Sequence, residues 1–72
     1  MTDNVYAITE LVGSSSESIE GAIKSALETA SKTLRNLDWF EVTDTRGHIK
    51  NGKIEYFQVT LKLGFRYERA AA

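Results

Sequence analysis

The sequence predicts an α+β fold with its elements in β-α-β-β order, and three observations carry that prediction. Residues 5–12 form a run of β-branched and aromatic types that stops at Gly13. Apolar residues then recur at helical spacing from Ile19, and two long strand-like runs flank Asn51-Gly52.

The first run, Val5-Tyr6-Ala7-Ile8-Thr9-Glu10-Leu11-Val12, has strand composition and ends at a glycine. The serine run Ser14-Ser15-Ser16 follows, and Ser14 with Glu17 has the spacing of a capping box. From there Ile19, Ala22, Ile23, Ala26, Leu27, Ala30, Leu34 and Leu37 repeat at i, i+3, i+4, i+7. That period predicts one amphipathic helix of about five turns.

Two longer strands are expected over about 39–50 and 53–67, joined by Asn51-Gly52. This dipeptide favours a type I′ hairpin turn, because both central residues take positive φ. A two-residue turn pairs Lys50 with Lys53. Carried back along a regular ladder, it sets Phe40 against Leu63, Val42 against Leu61, Thr45 against Gln58 and Trp39 against Gly64. The apolar residues of the last strand (Phe57, Val59, Leu61, Leu63, Phe65) then share a face with Phe40 and Val42, and one helix is expected to cover it.

The opposite face carries Trp39, Gln58, Thr60, Lys62 and Arg66. A tryptophan turned away from the helix needs a partner, since burying it is a large apolar gain. Two readings follow. It seals a contact in a structural oligomeric interaction module, or it is a stacking platform for a flat aromatic ligand. Gln58 suits the second reading, because one amide both donates and accepts at a ligand's edge. Trp39 and Gln58 lie roughly 20 Å apart along the strands, at about 3.3 Å per residue. One small ring system touching both must therefore sit between subunits.

Composition narrows the rest. In 72 residues there is room for one domain, 1–72, whose core supplies only about 3–5 kcal/mol unless reinforced. There is no cysteine, which excludes disulfides and thiolate metal sites, and the single histidine, His48, argues against a zinc site, so oligomerisation is the reinforcement left. A net charge of −1 and dispersed lysines give no basic stripe for nucleic acid. Met1-Thr2-Asp3-Asn4 lacks the basic start of a signal peptide and no long apolar run follows, so a cytoplasmic protein without membrane contact is expected. Ala70-Ala71-Ala72 reads as a disordered tail. Asp38 and Glu41 read as solvated charge and His48 as a surface or interface histidine. With no nucleophile–base pair to assemble, no catalytic residue is named and an enzyme is not expected.

Four stretches carry a family resemblance: Leu11-Val12-Gly13, Lys32-Thr33-Leu34-Arg35-Asn36-Leu37-Asp38-Trp39-Phe40-Glu41-Val42, Arg46-Gly47-His48-Ile49, and Tyr56 through Arg66. In order and spacing they resemble the dodecins from about Val5 to Glu68. The resemblance implies a three-stranded antiparallel sheet wrapped around one helix, assembled into a hollow homododecamer that binds FMN or riboflavin. It implies that Trp39 stacks on the flavin, that Gln58 hydrogen-bonds the isoalloxazine edge and that Arg46 lies near bound FMN. It further implies contacts to coenzyme A or phosphate from Lys32, Arg35 and Arg66. One position departs from the pattern: Ala7 stands where many members carry a lysine, which would weaken binding of anionic ligands such as coenzyme A.

Overall fold

A computed structural model of the chain describes residues 3–67. The elements are β1 (Tyr6–Ser15), α1 (Ile19–Ser31), β2 (Leu37–Lys50) and β3 (Lys53–Arg66). The strands form one antiparallel sheet in the order β1-β3-β2, with α1 packed on β1 and β3. The expected β-α-β-β order and three-stranded sheet are therefore present. The Ala70–Ala72 tail lies outside the described residues.

Strand β3 is central, and its alternation decides which side is interior. Val59, Leu61 and Leu63 are buried on the helix side, against Ala22, Ala26 and Ala30 of α1. Three alanines at i, i+4, i+8 make a flat helical face, so the helix backbone approaches the sheet closely. Gly13 of β1 completes this fit. A Cβ there would fall inside van der Waals contact of the Ala22 carbonyl oxygen and 2.9 Å from the Ala26 Cβ.

The helix is shorter than its apolar spacing predicts, at 13 residues. Strand β1 continues through Ser15, so Ser14 belongs to the sheet and the N-cap is Ser18, whose Oγ accepts the Gly21 N–H at 2.9 Å. Ser15 Oγ accepts the Glu17 N–H at 3.0 Å and holds the turn between the two elements. Ser18→Ala should lower stability by about 1 kcal/mol, read as a lower urea midpoint at unchanged slope. An unchanged midpoint would show that this cap contributes nothing. At the other end, the N–H groups of Thr33 and Leu34 both reach the Ala30 carbonyl, and Asn36 adopts a left-handed φ of 64°. The chain reverses there. Leu34 and Leu37 thus leave the helix, yet still pack against its core.

The hairpin turn is as expected, with φ of 54° at Asn51 and 74° at Gly52. The ladder behind it is not regular. Lys50 pairs with Lys53 and Ile49 with Ile54, then Glu55 is skipped and His48 pairs with Tyr56. This offset holds to Asp44↔Thr60, where Thr43 is skipped and the original register returns at Val42↔Leu61, Phe40↔Leu63 and Trp39↔Gly64. Thr43 Oγ1 bonds the Thr60 carbonyl at 3.3 Å and secures the second bulge. Gln58 consequently opposes Arg46, not Thr45.

One expectation about coverage is also corrected. The helix shields β1 and β3 but leaves β2 bare: Phe40 and Val42 stay 47% and 40% exposed on the helix side. The body is thin, 59 × 21 × 13 Å along its principal axes.

Candidate functional site

Trp39 owes its position to a further bulge. Leu37 pairs with Phe65 and Trp39 with Gly64, so Asp38 is skipped. In a regular strand Leu37 and Trp39 would share a face. The extra residue sends Leu37 to the core and Trp39 to the open side of the sheet, the side without the helix. There the indole lies on Gly64: a Cβ at that position would coincide with the ring near Cε2 and Cζ2. Glycine is what lets the ring come this close to the strand. Trp39 is 39% exposed, a large aromatic ring set against the strand and still partly open to solvent.

The paired skips at Glu55 and Thr43 assemble the second part of the site. Had the regular ladder continued, Arg46 would oppose Phe57 and face the helix side. With the offset, Asp44, Arg46 and His48 oppose Thr60, Gln58 and Tyr56 and join Trp39 on the open side. Arg46 and Gln58 are thereby direct cross-strand neighbours, a juxtaposition the regular register misses. The Arg46 guanidinium is held by Asp44, with Nε and Nη2 at 3.0 and 2.6 Å from Oδ2. Beyond them the His48 and Tyr56 rings stack at 4.7 Å between centroids and 13° between planes. Asp44 was not singled out from the sequence, although its i, i+2 spacing to Arg46 on a strand was a visible signal.

Gln58 and Trp39 remain apart. Six positions of β3 separate Gln58 from Gly64, which is roughly 20 Å at about 3.3 Å per residue. The anionic-ligand candidates are elsewhere. Arg35 and Arg66 line one cavity of about 320 Å³ with Thr33, Asn36, Phe65 and Tyr67. Lys32, the C-cap residue of α1, is exposed and does not line it. Among the described residues no three metal-ligating side chains converge, and no helix is long and apolar enough to cross a membrane.

A family model described as Dodecin matches residues 5–68. The chain belongs to the dodecin family. It is 53% identical over 64 residues to the dodecin of Thermus thermophilus, covering 89% of this chain and 93% of that one. The solved structure of dodecin from Streptomyces coelicolor superposes with a TM-score of 0.91 at 48% identity, covering 97% of this chain and 100% of that chain. A crystal structure of a tryptophan-to-phenylalanine mutant of the Thermus thermophilus dodecin gives 0.88 at 49% identity, covering 93% and 100%. Trp39, Gln58, Arg46, Lys32, Arg35 and Arg66 all lie within the span of the dodecin match.

Proposed function

We propose that the protein is a cytoplasmic flavin store, a homododecamer that holds FMN or riboflavin between subunits and shields it from light-driven reactions. The observation that carries this reading is the indole of Trp39, set against Gly64 on the side away from the helix and still 39% exposed. A rigid aromatic plane of that kind suits a flat heteroaromatic ring. Gln58 and Arg46, adjacent across the strands, suit the polar edge and the phosphate-bearing tail. Because they stand so far from Trp39 of the same chain, the ligand meets the indole of one subunit and the amide of another. The bare faces of β2 and the thin body favour such an assembly.

When bound, the flavin supplies an electron-accepting excited state. An indole in contact with it offers a quenching route, and a ring enclosed between subunits leaves no access for a substrate. The protein is therefore read as a binding protein, not an enzyme. Arg35 and Arg66 around their shared cavity suit a second, anionic ligand such as coenzyme A, with Lys32 as an outlying contributor.

Titrating the purified protein with riboflavin, FMN and FAD while measuring its mass in solution tests the reading. Flavin fluorescence should be quenched as it binds, and the mass should lie near twelve times 8.0 kDa. Gln58→Ala should weaken binding about two- to tenfold, the effect of one lost neutral hydrogen bond. A monodisperse monomer indifferent to flavin would reject the proposal, and an assembled shell indifferent to flavin would leave only a structural oligomer.

A further inference from the structure

We propose that Asp44 sets the choice between phosphorylated and unphosphorylated flavin, by occupying the edge of Arg46 that a phosphate would use. The inference rests on the flavin reading above. Arg46 presents two donors, Nε and Nη2, to one carboxylate oxygen of Asp44 at 3.0 and 2.6 Å. That side-on edge is the pair of donors with which a guanidinium grips a phosphate bidentately. Asp44 and Arg46 stand on the open side between two bulges, opposite Thr60 and Gln58. They are fixed beside the amide assigned to the flavin edge.

A phosphate monoester carries about −1.5 to −2 charges at neutral pH. To engage Arg46 it must displace the Asp44 carboxylate or accept the guanidinium's remaining edge with a like charge beside it. Riboflavin, which has no phosphate, meets neither obstacle. The arginine therefore does not give FMN the full advantage that its charge alone would confer. Asp44 holds the two ligands closer in affinity.

Within the single chain the pair is held at the surface, with side chains 67% and 45% exposed, so the fold of the subunit does not rest on the carboxylate. The test compares riboflavin and FMN affinities of the flavin-stripped assembly for wild type, Asp44→Asn, Arg46→Ala and the double variant. Asp44→Asn should raise the FMN-to-riboflavin affinity ratio about three- to tenfold with riboflavin unchanged, and the gain should shrink as salt is raised. Arg46→Ala should lower the ratio, and adding Asp44→Asn to it should restore less than the single variant gains.

A ratio that stays level or falls in Asp44→Asn, while riboflavin still binds, overturns the inference alone, because Asp44 would then be neutral or would position Arg46 for phosphate. Failure of riboflavin to bind wild type overturns the flavin reading and this inference together.

Discussion

Replacing Trp39 with alanine should weaken flavin binding by between about five- and 150-fold, the equivalent of about 1–3 kcal/mol for one lost aromatic stack. Whatever flavin still binds should also recover its emission. Both effects follow from the same geometry. The indole is the only tryptophan in the chain, it lies over Gly64, and no other large aromatic is paired with that position. Titration by flavin fluorescence gives the affinity and the emission of the complex in one experiment. Solution mass distinguishes a lost ligand contact from a lost assembly. If the mass collapses, Trp39→Phe keeps an aromatic plane and should restore assembly with intermediate affinity. Unchanged affinity and unchanged emission in the alanine variant would remove Trp39 from the site.

Gly13→Ala should be the most damaging small substitution in the fold. The added methyl meets the Ala22 carbonyl oxygen and the Ala26 Cβ, and neither can swing aside as a long side chain would. The helix must lift from β1, and the contact between its alanines and Val59, Leu61 and Leu63 loosens with it. Overpacking of this kind costs about 3 kcal/mol at the upper end of its usual range. A core of this size supplies little more than that. Urea unfolding followed by circular dichroism should show a large fall in midpoint or no cooperative transition. A wild-type midpoint would mean that helix and strand separate more easily than their packing implies.

How much of this was legible in the sequence depended on whether a feature is carried by side chains or by backbone. The hairpin turn was legible because Asn51-Gly52 is a pair of residues suited to positive φ. The facing of Trp39 and Gly64 was legible because it lies where the regular register holds. The helix start was misread because Ser14 and Ser18 are equally good caps by type. What decides between them is β1 pairing with β3 as far as Ser15↔Phe57, a tertiary fact. The helix end was misread because Leu34 and Leu37 keep the apolar spacing while serving the same core from outside the helix. Lys32, Arg35 and Arg66 are grouped by resemblance, while Arg35 and Arg66 share a cavity that Lys32 does not line. The bulges left no mark that composition could show, since Thr43 and Glu55 are ordinary strand residues.

Those two bulges cancel. One extra residue on each strand turns over only the stretch from Asp44 to His48, while the turn at one end and Trp39 at the other keep their places. Half of the proposed binding surface is therefore a matter of chain phase, not of which side chains are present. The same residues in a ladder without bulges would keep the hairpin, the core and every functional group, yet point the arginine at the wrong side of the sheet. In this fold a shift of one residue in that stretch, with no side chain changed, would be enough to silence the surface.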